Sequence, residues 1–376
     1  MNTSLRIAIV GGGPGGLTLA RILHRHGMTV SVFERESGPF ERPQGGTLDL
    51  HAESGQLALR HAGLEDAFKR IARYEDQGSR LMNHHGHLLY EAPNPEAGER
   101  PEVDRTALRQ ALLDSLPLGC VNWGAGIDAV HPVGDGRWML HQGALTHGPF
   151  DLVVGADGAW SKVRPLLSHY QPQYSGLTFI EFGIDEVDNL HPPIARLVGR
   201  GKLDIDGEAR SIIVQRNANA HLRGYAVFRV PTDWAASHID LSCAASLKTH
   251  FEGWHPDILA LFDAANAQLE CRHIHALPVG HRWAHRPGLT LIGDAAHLMS
   301  PFGGEGVNAA MLDAAELAQH LLKTPDCSQA VQAYENHMFE RVMPAAQGSA
   351  EGAAIQLSHD SLALSLAHLH HHLTPQ

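Results

Sequence analysis

Cysteine is scarce: four residues in 376, at positions 120, 243, 271 and 327, and none forms a CxxC pair. That excludes a disulfide framework or a Cys-based zinc site, and the thiols are expected to be reduced and mostly buried. Basic charge is short as well, since 29 Lys and Arg stand against 41 Asp and Glu for a net charge of −12. Without a basic stripe, a nucleic-acid partner is not expected. No apolar run approaches a membrane span. The N-terminal apolar stretch is about five residues long and broken by glycines, too short for a secretory signal, so a cytoplasmic location is expected. No GxSxG elbow suggests a serine hydrolase, and no HExxH suggests a zinc enzyme. Histidine, in contrast, is plentiful, with 28 residues and clusters at 84–87, 273–275 and 368–372. Without an accompanying ligand set these read as solvated surface rather than metal sites, and no metal is expected. Near pH 6 many of them charge, so the net negative charge shrinks there.

The most informative stretch lies at residues 7–16, Ile-Ala-Ile-Val-Gly-Gly-Gly-Pro-Gly-Gly. It reads as a buried strand entering a glycine-rich turn. Gly11, Gly13 and Gly16 have the spacing of a dinucleotide fingerprint: the first for the tight turn, the second for close approach of backbone amides to a pyrophosphate, the third for helix–strand packing. The helix that follows, expected over residues 17–26 and stopped by Gly27, points its positive end at the phosphates. A second strand over 29–33 ends at Glu34, whose carboxylate suits the hydroxyls of an adenosine ribose. Pro14, Gly15 and Arg35 complete this candidate nucleotide end.

Three separated segments read as one α/β nucleotide-binding domain: residues 1–76, 101–170 and 277–325. The second contains an amphipathic helix from Val103 with Asp104 as its cap, then a buried strand ending in Asp157-Gly158. The third contains a strand over 288–292 ending in Gly293-Asp294. Residues 77–100 and 171–276 are expected to form a second domain, an inserted antiparallel sheet with one solvated or ligand-facing side, because short runs such as 211–215 and 225–230 alternate apolar and polar. Residues 326–376 read as a C-terminal helical segment, with helices over 328–341 and from Ala345 to about 369.

The fingerprint, the Asp157-Gly158 pair and the Gly293-Asp294 pair, in this order, resemble the class A FAD-dependent aromatic hydroxylases over essentially the whole chain. The segments 45–51, 101–105, 161–164 and 293–299 are similar to motifs of one branch, the tetracycline-inactivating flavin monooxygenases. The fold this resemblance implies is mixed α/β: a discontinuous Rossmann-like FAD-binding domain, an inserted sheet domain for substrate and a C-terminal helix. It implies that Asp294 holds the ribitol hydroxyls of FAD, that Arg105 contacts the flavin nucleotide and Asp49 the flavin, and that Arg42 meets a transient NADPH. Gly45 and Gly46 would let backbone lie against the isoalloxazine, free of side chains. Residues 301–308, with Pro301, Gly304, Gly306, Val307 and Asn308, would present amides and a helix N-terminus to the flavin N1–O2 edge. Asp157 would tie loops near the cofactor. Pro301, Phe302 and Gly303, with Glu181 and Arg223 of the sheet, are the substrate candidates. Two departures stand out. Glutamine is common in the family where this chain has Glu305, and the tetracycline enzymes use a glutamine and a histidine where rough alignment gives Glu181 and Arg223.

The activity implied is monooxygenation of an aromatic or polyketide-like small molecule, with a tetracycline-type antibiotic among the candidates. NADPH reduces FAD, O2 adds at flavin C4a, and the distal hydroperoxide oxygen passes to an electron-rich carbon, so no protein nucleophile is required. A halogenase or ring-saturating reductase on the same scaffold is the second reading, although the halogenase WxWxIP signature is absent. A flavin-bound drug-sequestering or redox-sensing protein without turnover is the third. A monomer is expected.

Overall fold

The computed structural model describes residues 5–41, 45–92, 100–358, 360, 362–364 and 366. The chain divides into two compact units. The first comprises residues 1–72, 105–173 and 275–350, and the second residues 73–104, 174–274 and 351–376.

The first unit is built on a five-stranded parallel sheet. Its central strand, β1 (Arg6–Val10), is flanked on one side by β2 (Thr29–Phe33) and on the other by the strand Leu152–Gly155; Val121–Asn122 and Leu289–Leu291 lie at the edges. Ile7, Ala8, Ile9 and Val10 are all buried, as a parallel strand covered on both faces requires. Because the chain passes from β1 to β2 on one side while Leu152–Gly155 and Leu289–Leu291 lie on the other, β1 sits at the switch point where open α/β sheets bind ligands. Helix α1 (Pro14–Arg25) begins three residues earlier than the periodicity predicts: Pro14 occupies the first helical turn, where its missing N–H costs nothing. A three-stranded antiparallel sheet (129–134, 137–142, 145–150) completes the unit with two long helices, Glu305–Lys323 and Cys327–Ile355.

Two local expectations are corrected here. The helix expected from Val103 begins at Arg105, so Asp104 stands immediately before that helix. It ends a short strand, Glu102–Asp104, and its Oδ1 accepts hydrogen bonds from Arg73 Nη1 (2.5 Å) and the Ala218 N–H (3.3 Å). The C-terminal segment does not break before Ala345 either. Helix Cys327–Ile355 runs through Pro344, because its buried stripe of Ala330, Tyr334, Met338 and Val342 holds it in place. The carbonyl that loses its partner to proline belongs to exposed Glu340. The expected continuation toward residue 369 lies largely outside the described residues.

The second unit is a seven-stranded sheet in the order 270–276, 173–184, 222–229, 210–216, 201–207, 78–83, 88–92. It is not purely antiparallel: 201–207 and 78–83 run parallel, which is possible because the two strands come from chain segments far apart in sequence. One face is packed under helices by Ile180, Phe182, Ile184, Leu203, Ile205, Ile212, Val214 and Phe228. The alternate residues, Phe179, Glu181, Arg223, Tyr225, Ile213 and Gln215, share the opposite face.

Candidate cofactor and substrate sites

At the end of β1, Gly11 turns with φ +114°, and a Cβ there would lie 2.2 Å from the Ala156 carbonyl oxygen. Only glycine fits, because the loop passes directly over the end of the neighbouring strand. A Cβ on Gly16 would strike the Gly11 carbonyl at the same distance, and one on Gly15 would crowd Ala310 of the facing helix. Around Gly13, by contrast, a Cβ would meet nothing within 4 Å. Gly13 is also the cap of α1 and supplies no side-chain acceptor, so the amides of the first turn face an open, electropositive space.

Glu34 lies beside this loop, buried. Its Oε2 accepts the Gly12 N–H (2.6 Å) and its Oε1 the Glu36 N–H (3.0 Å). Each oxygen keeps a lone pair for a ligand hydroxyl. Arg35 is exposed next to it. Sequence reasoning missed the pair beneath them. Arg109 bonds the Glu36 carboxylate at 2.8 Å and donates to the carbonyls of Gly12 and Pro39 (both 3.2 Å), with both side chains buried. The one available signal was an arginine on the buried stripe of an amphipathic helix, beside Leu108 and Leu112.

At the other end, Asp294 opens the short helix Asp294–His297, and its carboxylate is exposed with no hydrogen bond or ion pair among the described residues. A Cβ on Gly306 would come within 3.9 Å of Asp294 Oδ1, and one on Gly304 (φ +66°) within 2.9 Å of Asp49 Oδ1. The turn leading into helix Glu305–Lys323 is thus drawn onto both aspartates. Asn308 does this from inside. It is fully buried, its Nδ2 donating to the Asp49 and Gly304 carbonyls, and its Oδ1 accepting the His51 N–H (3.0 Å) and the Ser54 hydroxyl and Gly55 N–H (both 3.3 Å). Its side chain is spent on the protein, so a direct side-chain contact from Asn308 to a cofactor has no group left to make it. Val307 beside it is half-buried. Buried His51 stands between Asp49 (3.0 Å) and Glu305 (3.8 Å), which gives the unusual acid a neighbour of opposite potential charge. Pro301 and Gly303 are exposed and Phe302 half-buried.

Arg105 donates its backbone N–H to the Gly46 carbonyl (3.2 Å), and a Cβ on left-handed Gly45 would touch its guanidinium arm at 3.5 Å. Gly45, Gly46 and Arg105 therefore converge. Asp157 Oδ2 accepts the Lys162 N–H (2.7 Å), while its buried Oδ1 has no partner, and burial pushes the carboxyl above its ordinary range. Buried Arg164 links the same turn to the Asp294 segment through the Ala159 and Ala295 carbonyls (2.5 and 3.1 Å). Arg42 lies outside the described residues. Among the described residues no group of three His, Cys, Asp or Glu is placed to hold a metal ion, and no helix is long and apolar enough to cross a membrane.

On the open face of the second unit's sheet, Glu181 is largely buried and pairs with Arg223 and with Arg272 Nε (2.5 Å), and Phe179 and Tyr225 set their rings 5.7 Å apart. The expected pair Glu181 and Arg223 is thus part of a four-membered charge cluster, because Arg272 also bonds Glu270 (2.7 Å). Arg272 was invisible to sequence reasoning because it comes from a strand 91 residues away.

A glycine loop at the switch point of a parallel sheet, followed late in the chain by an unpartnered carboxylate at another strand end, defines a dinucleotide-dependent flavoprotein oxidoreductase. Residues 4–116 and 149–347 match the FAD binding domain family, and the chain belongs to it, among the class A FAD-dependent monooxygenases. Monooxygenase penA of Penicillium thymicola is 31% identical, covering 85% of this chain and 85% of that protein. Among solved structures, Klebsiella pneumoniae HpxO complexed with FAD and uric acid superposes with a TM-score of 0.82 at 20% identity, covering 97% of this chain and 92% of that one. Tetracycline destructase Tet(51) superposes with a TM-score of 0.71 at 20% identity, covering 96% and 94%. The residues present suit FAD: open space over Gly13, an exposed unpartnered Asp294 and an orphaned Asp157 Oδ1 are all groups that a bound dinucleotide can satisfy.

Proposed function

We propose that this monooxygenase uses NAD(P)H and O2 to hydroxylate a planar aromatic or enolic polyketide-like molecule. The net reaction places one oxygen atom of O2 in the product and the other in water, with the two electrons coming from NAD(P)H. Bound FAD supplies the electron transfer to oxygen and the delivery of one oxygen atom. The amides of Gly13 and the first turn of α1 hold the pyrophosphate, Glu34 the adenosine ribose and Asp294 the ribitol. Arg105, beside Gly45 and Gly46, would contact the flavin nucleotide. The turn over 301–306 and the N-terminus of helix Glu305–Lys323 stabilise negative charge gathering on the flavin. Asp157 tethers the loop between the two ends, and Arg42 meets the nicotinamide cofactor.

The observation that carries the substrate class is the sheet face where two arginines share one buried carboxylate beside the Phe179–Tyr225 pair. Arg223 and Arg272 bring guanidinium N–H donors that can bond an anionic or enolate ring oxygen, although Glu181 and Glu270 balance their charge, and the rings match a flat apolar body. Urate, kynurenine-like aromatic acids and tetracyclines all carry such oxygens. The test is NAD(P)H consumption, O2 uptake and peroxide yield with a panel of these compounds. A substrate stimulates NAD(P)H oxidation and yields a product one oxygen atom heavier. Ligand binding without turnover supports the sequestering reading instead, and flavin loading with no ligand response defeats the substrate class.

A further inference from the structure

We infer that Asp313, held by Arg341 from the C-terminal helix, is the positioning residue that aims Asp294 at the flavin ribitol. The inference rests on the proposed ribitol role of Asp294.

Asp313 is fully buried in the middle of helix Glu305–Lys323. One oxygen, Oδ2, accepts both the Gly293 N–H and His297 Nε2, each at 2.7 Å. Those two partners bracket Asp294. Gly293 itself adopts φ +61° and ψ −143°, a conformation that side chains rarely allow, and a Cβ there would lie 2.8 Å from the Ala310 methyl. Ala310 and Asp313 are three residues apart and share a helix face, so one helix face sets both the backbone turn before Asp294 and the side chain after it. The other oxygen, Oδ1, is occupied by Arg341, whose guanidinium also reaches Glu316 at 3.0 Å. Arg341 belongs to helix Cys327–Ile355, no residue of which is assigned to the cofactor. The same helix fastens Leu291, two residues before Gly293, through Tyr334 Oη to its carbonyl (3.0 Å).

The arrangement explains two otherwise costly features. Burial alone works against a charged His297, yet the Asp313 carboxylate holds its pKa above the ordinary value, and His297 and Arg341 together hold Asp313 below its own. The charges are kept because they fix a turn; the exposed Asp294 carboxylate accepts no hydrogen bond from a described residue, and the backbone around it is held by Asp313 on one side and by Arg164, which reaches the Asp294 carbonyl (3.5 Å), on the other.

The test uses apo protein titrated with FAD, with ADP as a probe of the glycine-loop end alone, in Arg341→Gln, Arg341→Lys, Glu316→Gln and Asp294→Ala. Arg341→Gln is expected to weaken FAD about tenfold, as loosening one charge-assisted hydrogen bond does, and to leave ADP affinity within about twofold. Arg341→Lys should recover most of the loss, because it keeps the charge beside Asp313. Glu316→Gln, which removes only a secondary partner of Arg341, should weaken FAD less than Arg341→Gln does. Equal losses for FAD and ADP in Arg341→Gln, or a Glu316→Gln loss matching it, overturn the inference in favour of general loosening. Asp294→Ala separates the layers: if it weakens FAD and Arg341→Gln does not, the positioning role is wrong, and if Asp294→Ala leaves FAD affinity intact, the ribitol role it depends on is wrong.

Discussion

The loops of the first unit and the open sheet face of the second both bury carboxylates, but they use them for different ends. Glu34 accepts two backbone N–H groups and Asp313 one, and Glu36 holds Arg109 against the Gly12 carbonyl of the glycine loop. There the charge shapes backbone. On the sheet, Glu181 answers two arginines, and Asp206 is buried with an Oδ1 that has no donor. There the charge is presented on a face. Shaping a loop gives a structural return in the empty protein, whereas a charge presented on a sheet face pays its burial cost until something binds. A geometry-setting region and a recognition region can therefore be told apart by where their buried charges end.

Substitutions that strike the two regions should differ accordingly. Arg109→Ala carries the largest expected effect. It removes the buried arginine that pairs with Glu36 and bonds the Gly12 and Pro39 carbonyls, at a cost of about 3–5 kcal/mol in the unfolding of apo protein. Lys248→Ala, which breaks the exposed Lys248–Asp263 pair of the second unit, should cost under about 1 kcal/mol. Similar losses for both would erase the distinction. Next comes Asp294→Ala, which removes the ribitol acceptor and should weaken FAD by about a hundredfold, the worth of two charge-assisted hydrogen bonds, while thermal stability of the apo form stays put. Glu34→Ala should also weaken FAD, through the adenosine end.

On the sheet face, Arg223→Gln should raise the KM of an anionic substrate about tenfold with FAD affinity unchanged. A matching loss of FAD would move Arg223 out of the recognition region. A pH-dependent effect is expected at Asp206. Burial first, aided by neighbouring Asp204, pushes its carboxyl up to about 6, against the pull of Ser211 and Lys202. A folded-state pKa above the unfolded one means that the native state holds the proton longer. Stability from this group is thus highest below the unfolded value and falls as pH rises from about 4 to about 6. Asp206→Asn should remove that fall and stabilise the protein at pH 7 by about 1–2 kcal/mol, with no gain at pH 3. A loss at pH 7 would show that the ionised carboxylate is bound by something in the native state.

The glycine loop was legible because Gly11 and Gly16 are dictated by sub-van-der-Waals approaches whose spacing along the chain is fixed. The strand-end positions of Glu34 and Asp294 were legible because buried parallel strands read as short apolar runs. What sets their direction was not. Arg109, Asn308, Asp313 and Arg341 act mainly through partners far apart in the chain, up to 259 residues away, and a buried arginine on a helix stripe looks in sequence like a solvated one. The same limit explains Asp104, whose cap-like position conceals a bond to Arg73, and the parallel pairing of 201–207 with 78–83, which alternation cannot encode. Pro344 marked a break that packing overrode. On the sheet, alternation suggested a ligand-facing side and the resemblance supplied Glu181, but Arg272 arrived from a distant strand.

The account stands on one prosthetic group gripped by the glycine loop at one end and by Asp294 at the other. Titrating apo protein with FAD and following the flavin absorbance, in wild type and in Asp294→Ala, tests it most directly. Wild type should saturate at one FAD per chain and turn yellow, with Asp294→Ala requiring far more FAD. A wild-type protein that stays colourless in excess FAD, or a variant that binds as the wild type does, would contradict it.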